Sequence, residues 1–371
     1  MTRLLSVLFC NQIISIVRGC KAQLQEKVSD RMKALYYPEW GRLEIADLPI
    51  PLPRADELLI RVAACGICGS ELESFRNRSV RRKPPLIMGH EFCGEVVSAG
   101  DGVSGEWHGR RVIAHSVIHC GRCAACRRGD TNLCSARELF GMHRPGAFAE
   151  FVCVPERVAV PWPDGLTPLH ASFAEPLANG INAMRQGNSG RRERVAIIGA
   201  GPIGLMCALA AMRIFGSEVL IADLIPERLE AAKRLGVTHT VNSAQTELIT
   251  EISTLWTEKA THVIDAVGSS RTKNLSLELT EPGGTVVWLG LQDSAISIES
   301  FAITLQQLTV SGSYAGTLND LCAAVDLLVS TQPDLAWAKT YALDRGEVAF
   351  QDMLEARGNN IKGILQISEA S

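Results

Sequence analysis

The chain has 371 residues, about two domains at roughly 150 residues each, and an apolar fraction of 46%, which excludes disorder, collagen and a single minimal module. Its 37 basic and 40 acidic residues leave a net charge of -3, so no global attraction draws it to nucleic acid or to an anionic membrane. No apolar run approaches the roughly 20 residues of a bilayer span, and twelve cysteines, several at metal-ligand spacing, suit a reducing, cytoplasmic setting better than a disulfide scaffold.

Residues 1–31 carry two short apolar runs, Leu4 to Phe9 and Ile13 to Val17, split by Asn11 and Gln12. Phe9 precedes Cys10 where a cleavage site would need a small residue. The segment reads as a leader outside the fold, non-native or mis-assigned, with a targeting signal or a helix packed on the body as alternatives. The fold is expected to begin at Met32, with a strand over Lys33 to Tyr37 closed by Pro38.

Residues 32 to about 177 are rich in Gly, Pro and short β-type runs: Leu58 to Val62, Gly94 to Val97, Arg111 to Ala114 and Phe148 to Val154. They predict a mainly β domain with long loops. From about Arg194 the pattern changes to alternating strands and helices. Val195 to Ile198 reads as a buried strand, and Ile203, Met206, Cys207, Ala210 and Ile214 share one face of the helix after it, which Gly216 ends. Further strands are expected at Glu218 to Ala222, His262 to Ala266, Thr285 to Leu289 and Leu308 to Val310, with a helix from Pro226 to Leu235. This alternation implies an α/β unit with a parallel sheet covered on both faces. A helix from about Leu318 and a strand ending at Leu365 to Ile367 complete the chain.

Gly199-Ala200-Gly201-Pro202-Ile203-Gly204 is G-x-G-x-x-G between a strand and a helix. The first glycine permits a tight turn, the second a close approach to a pyrophosphate at the helix N-terminus, and the third close helix–strand packing. Asp223, nineteen residues after Gly204, ends the next strand, where a carboxylate accepts from the ribose hydroxyls and repels a ribose phosphate. NAD is therefore expected over NADP, with Arg228 placed to cover the adenine or hold the ribose.

Cys120, Cys123, Cys126 and Cys134 form C-x2-C-x2-C-x7-C. Four thiolates this close can enclose one zinc and leave no open position, as in a structural site. An iron–sulfur cluster is the competing reading, but the ferredoxin run continues with x3-C-P; a zinc ribbon is a third. A second, dispersed set comprises Cys65-Gly66-Ile67-Cys68-Gly69-Ser70-Glu71, Gly89-His90-Glu91 and Ala174-Glu175-Pro176-Leu177. It offers thiolate, imidazole and carboxylate ligands for a zinc with an open position, although buried thiols and a satisfied Gly-His-Glu turn would show the same residues.

In this order, from Met32 to about Ile367, these segments resemble the zinc-dependent medium-chain dehydrogenases, especially their sorbitol and threonine dehydrogenase branch. The resemblance implies a GroES-like β catalytic domain (32–177 and 319–371) around a Rossmann NAD-binding domain (178–318). It implies two zincs per chain and assigns the catalytic one to Cys68 rather than Cys65, with His90, Glu91 and Glu175. Ser70 would hydrogen-bond the reacting alcohol, and Glu71 stands where the family has an aspartate that orients the zinc histidine. Glu73 replaces a histidine of the proton relay, so proton exit uses water or Glu73 itself. Val267, Leu289, Gly290 and Leu291 would border the nicotinamide. The implied reaction is hydride transfer from a secondary alcohol (a polyol, sugar alcohol or sugar phosphate) to NAD, zinc acting as Lewis acid on the substrate oxygen.

Alternatives are a threonine-type amino-alcohol dehydrogenase, a zinc-free reductase and a non-catalytic NAD- and zinc-binding module. Homodimers or homotetramers are expected, without nucleic-acid or membrane partners. Arg76, Arg78, Arg81, Arg82 and Lys83 place five cations in eight residues between Cys68 and His90. They read as a solvated face, as a site for a substrate anion, or as a nucleic-acid contact. Cys10, Cys20, Cys65, Cys93, Cys153, Cys207 and Cys322 are left without metal roles, most as buried small hydrophobes.

Overall fold

The computed structural model describes residues 30–187, 193–355 and 360–368. Residues 1–29 of the expected leader, with Cys10 and Cys20, lie outside them. The first strand already includes Arg31.

Ten short strands fill the first half: β1 (Arg31–Glu39), β2 (Arg42–Pro49), β3 (Glu57–Gly66), β4 (Leu86–Ile87), β5 (Glu91–Ala99), β6 (Arg111–Ala114), β7 (Val117–Ile118), β8 (Glu138–Leu139), β9 (Phe151–Pro155) and β10 (Ala159–Pro161). Pro38 does not close β1. Its pairing with β2 becomes irregular between Tyr36 and Glu39, so a residue without an N–H is tolerated there. β9 starts at Phe151, later than expected, because the Phe148 amide is spent on the carbonyl of Met88 at 2.9 Å. β3 is central in its sheet and buried along almost its whole length. Helices α1 (Gly69–Asn77), α2 (Ala124–Arg128), α3 (Pro168–Ser172) and α4 (Ala174–Arg185) interrupt or follow these strands.

The alternating part follows as β11 (Arg194–Ile198), α5 (Pro202–Arg213), β12 (Glu218–Asp223), α6 (Pro226–Arg234), β13 (His239–Asn242), α7 (Leu248–Trp256), β14 (Ala260–Asp265), α8 (Ser270–Leu279), β15 (Thr280–Trp288), α9 (Ser300–Leu305) and β16 (Thr309–Gly312). The sheet order is β13-β12-β11-β14-β15-β16, parallel throughout. The order reverses between β11 and β14, where doubly wound sheets bind dinucleotides. α5 is buried nearly all round rather than on one face, since its other side meets α4. A Cβ on Gly180 would stand 2.7 Å from the Met206 carbonyl carbon. Ile214, expected on the buried face, is exposed.

The chain then forms α10 (Leu318–Thr331), β17 (Ala338–Ala342), α11 (Gly346–Leu354) and β18 (Lys362–Gln366). β18 pairs antiparallel with the end of β3, so the last strand joins the sheet that opened the chain. That return brings Lys362 beside residues almost three hundred positions earlier.

Candidate metal and cofactor sites

β3 ends at Gly66, and Cys68 caps α1 with extended backbone. The Cys68 amide donates to Glu71 Oε2 at 3.0 Å, and the Ser70 hydroxyl donates to Cys68 Sγ at 3.2 Å. Glu71 is fully buried. Its Oε1 accepts from the Gly89 amide at 2.8 Å and lies 2.9 Å from His90 Nδ1. Gly89 has φ +102°, and a Cβ there would stand 2.7 Å from the Phe148 amide nitrogen, so a side chain is excluded at the bend that presents His90.

Burial alone would raise the Glu71 pKa, but His90, Arg82 and the Cys68 amide outweigh it and hold the carboxyl below its ordinary range. An ionised Glu71 requires the proton on His90 Nδ1, which leaves Nε2 as a lone pair. Burial works against a charged His90, yet Glu71 and Cys68 raise its pKa well above the ordinary value, so a metal at Nε2 would have to displace a proton. The longer arm of Glu71 therefore still reaches the imidazole, as the family's aspartate is expected to.

Glu91 Oε2 pairs with Lys362 Nζ, both side chains being fully buried, while Oε1 has no hydrogen-bond partner. Gly66 leaves room for this carboxylate: a Cβ there would come within 2.2 Å of Oε2. The ligand atoms of Cys68, His90 and Glu91 all lie within 4.8 Å of one another. A thiolate, an imidazole Nε2 and a partly unpartnered carboxylate suit a zinc ion. Glu175 is not in this trio. Its oxygens accept from Ser116 Oγ at 2.8 Å and Asn179 Nδ2 at 3.1 Å. Burial raises its pKa, with Glu91 adding to the effect and His90 opposing it.

Cys120, Cys123, Cys126 and Cys134 also bring their sulfurs within 4.8 Å of one another. Cys123 caps α2, its sulfur accepting from the Cys126 amide at 3.5 Å, and Cys134 Sγ accepts from the Cys120 amide at 3.3 Å. Amide donors, the Cys126 N–H first, pull the Cys123 pKa down to about 5. Such a closed four-sulfur set suits a structural zinc.

In the alternating domain Gly199 has φ +99°, and a Cβ on Gly204 would stand 1.8 Å from the Gly199 carbonyl. Gly201 meets nothing within 4 Å, so no protein contact demands a glycine there and its face is open to a ligand. Asp223 Oδ2 accepts from the Ala200 amide at 2.7 Å and Oδ1 from the Ile225 amide at 2.9 Å, with Arg228 Nη1 3.5 Å from Oδ2. Pro202 and Ile203 open α5. The buried Asp265 binds the loops after β14 and β15. Its side chain accepts from the amides of Val267 and Gly268, and its carbonyl from those of Leu289 and Gly290. Lys273 Nζ donates to the carbonyls of Gly268 at 2.9 Å and Gly290 at 3.4 Å, while Leu291 is exposed.

Residues 54–164 match the alcohol dehydrogenase GroES-like domain, and residues 202–330 match the zinc-binding dehydrogenase domain. The chain belongs to the zinc-dependent medium-chain dehydrogenases. An L-threonine 3-dehydrogenase from Rhizobium johnstonii is 31% identical over 347 residues, 91% of this chain and 99% of the relative. The starvation-sensing protein RspB of Escherichia coli is 32% identical over 76% of this chain and 83% of its own. A solved zinc-binding dehydrogenase from Sinorhizobium meliloti 1021, bound to NADP, superposes with a TM-score of 0.82 at 32% identity, covering 91% of this chain and 99% of that one. An alcohol dehydrogenase from Escherichia coli CFT073 complexed with NADH gives 0.83 at 28%, covering 91% and 100%. This chain is thus a GroES-like and Rossmann-type oxidoreductase of the zinc-binding dehydrogenase kind. No helix among the described residues is long and apolar enough to cross a membrane.

Sequence reasoning missed Lys362, which pairs with Glu91, and Arg82, which bonds the Ser70 carbonyl, as buried neighbours of the candidate ligand set. Lys362 is one cation in an apolar strand, and only the pairing of β18 with β3 shows why it is there. Of the basic run, Arg78, Arg81 and Lys83 are exposed, as a solvated face requires. Arg76 Nη2 donates to the Leu354 carbonyl at 2.7 Å, and Arg82 is buried. Glu73 is exposed on α1, 3.5 Å from the Asn77 amide nitrogen. Cys65, Cys93, Cys153 and Cys207 are buried as expected, whereas Cys322 is exposed.

Proposed function

We propose that this dehydrogenase oxidises a secondary alcohol of the polyol, sugar-alcohol or sugar-phosphate type with NAD, using 32–177 and 319–371 as its catalytic domain and 178–318 to hold the cofactor. The observation that carries the reading is the convergence of Cys68, His90 and Glu91 within 4.8 Å. Zinc, when bound there, supplies Lewis acidity toward the substrate oxygen.

The chain's own residues do the rest. Glu71 fixes the ring of His90 and the backbone of Cys68. Lys362 holds one oxygen of Glu91 and leaves the other for the metal. Ser70 lies against the Cys68 thiol; its hydroxyl would accept a hydrogen bond from the substrate alcohol, whose proton leaves by water or Glu73. Glu175 is a fourth ligand that must leave Ser116 and Asn179 to take part. The four-cysteine loop holds a second, structural zinc.

Gly199, Gly201, Pro202, Ile203 and Gly204 would receive the pyrophosphate of NAD, which serves as hydride acceptor. Asp223, with Arg228 beside it, favours a ribose bearing free hydroxyls. The loops at Val267 and at Leu289, Gly290 and Leu291, joined by Asp265 and Lys273, would border the nicotinamide. A cytoplasmic homodimer or homotetramer fits β16, one edge strand of the parallel sheet, and the exposed Phe301 and Leu305 on the preceding helix.

A threonine-type activity is the second reading, favoured by the relative at 31% identity. The test is NADH formation by zinc-loaded protein on free polyols, sugar phosphates, threonine and simple alcohols, with a chelator control and NADP in parallel. A chelator-sensitive rate on a polyol supports the first reading. A rate on threonine alone replaces it with the second, and silence across the panel with both zincs bound overturns both.

A further inference from the structure

We propose that Arg82 is a positioning residue of the metal centre, fixing Ser70 and the first turns of α1 so that Cys68 and His90 stay aligned. This rests on the reading that Cys68 and His90 hold a catalytic zinc.

Five cations lie between those two residues, and Arg82 is the one the fold buries, to 2% exposure. Ser79 starts the single turn Val80–Arg82, its hydroxyl accepting from the Arg81 amide at 3.4 Å, and the turn sends Arg82 back to α1. There Nη1 donates to the Ser70 carbonyl at 3.1 Å and lies 3.5 Å from Ser74 Oγ. Nε is buried without a partner. A buried guanidinium with an unmade hydrogen bond is costly, so its two contacts with α1 are what hold it in place.

Glu71 accepts from the Cys68 amide, the Gly89 amide and His90 Nδ1. One carboxylate on α1 therefore sets the backbone of the thiolate ligand and the ring of the imidazole ligand, and Arg82 holds the turns of α1 that carry it. Ser70, bonded through its carbonyl to Arg82 and through its hydroxyl to Cys68, ties the same guanidinium to the residue that would face the alcohol. The basic run is then divided in role, with its exposed members a solvated surface and Arg82 a support of the centre.

The experiment compares Arg82→Met and Arg82→Lys with wild type and with the surface control Arg81→Met. It measures zinc content, the rate at which a chelator removes the exchangeable zinc, and the visible spectrum after cobalt replacement. Arg82→Met is expected to lose the exchangeable zinc about 10-fold faster, with an altered cobalt spectrum and an intact four-cysteine zinc. Arg82→Lys keeps the charge and should fall between, and Arg81→Met should match wild type. If Arg82→Met fails to fold, Arg82→Lys decides alone. A zinc-release rate and cobalt spectrum equal to wild type in the folded variant would overturn the proposal. Wild type holding only the four-cysteine zinc would instead overturn the reading on which it rests.

Discussion

Glu71 Oε1 stands 2.9 Å from His90 Nδ1, and the other oxygen of the same carboxylate takes the Cys68 amide at 3.0 Å. Two candidate metal ligands from different elements thus share one orienting group. Glu71→Ala should weaken zinc at the Cys68 and His90 site by about 10- to 100-fold. Glu71→Gln, which can still accept from one N–H, should lose less. Chelator competition followed by metal analysis measures both, and equal zinc affinity in all three proteins would show that the contact does not orient the ligands.

The buried pair of Glu91 and Lys362 gives a stability prediction. Lys362→Met leaves the Glu91 carboxylate buried without its cation and should cost about 3–5 kcal/mol in urea unfolding. A double change, Glu91→Gln with Lys362→Met, should recover part of that loss, since it removes both charges together. A loss in the single variant below roughly 1 kcal/mol, the size of a surface pair, would mean that the pairing contributes little.

Asp223 caps the glycine loop through the Ala200 amide, and the proposed function assigns it to the ribose. Asp223→Ser should shift the ratio of kcat/KM values from NAD toward NADP, by removing the charge that repels a ribose phosphate. It should also cost about 1 kcal/mol of stability through the lost loop contact. An unchanged cofactor ratio would remove Asp223 from the specificity assignment, whatever the stability change.

Burial pushes the Cys207 thiol up to about 12 from an ordinary 9.0. A pKa raised on folding contributes stability that is complete below the unfolded value and is lost as pH rises from there through the folded one. Wild type should therefore lose more stability than Cys207→Ala between pH 8 and pH 10.5. Urea midpoints for the two proteins at both pH values give the comparison, and parallel losses would rule out a shifted thiol at this position.

Much of the fold was legible because it is carried by local patterns. Val195 to Ile198, the glycine loop and Asp223 predict a strand, a turn and a strand end that the structure places where expected. Among the elements not anticipated are β2, α4, β13, α7, α8, β17 and α11. β13 is a four-residue edge strand in which only Val241 is buried, and β17 likewise buries only Tyr341, so neither shows a sustained apolar run. In the candidate metal centre, Cys68, His90 and Glu91, named from spacing and resemblance, are brought together by the fold. What supports them was not legible, because Lys362 reaches Glu91 through the pairing of β18 with β3, and Arg82 is indistinguishable in sequence from its exposed neighbours.

The central claim is that Cys68, with His90 and Glu91, holds a zinc required for hydride transfer and separate from the four-cysteine zinc. Metal analysis of wild type and Cys68→Ser, together with NADH formation and far-ultraviolet circular dichroism, tests it most directly. The account predicts two zincs in wild type, one in the variant, an unchanged dichroism spectrum and no NADH formation. Two zincs retained in Cys68→Ser with full activity would contradict it.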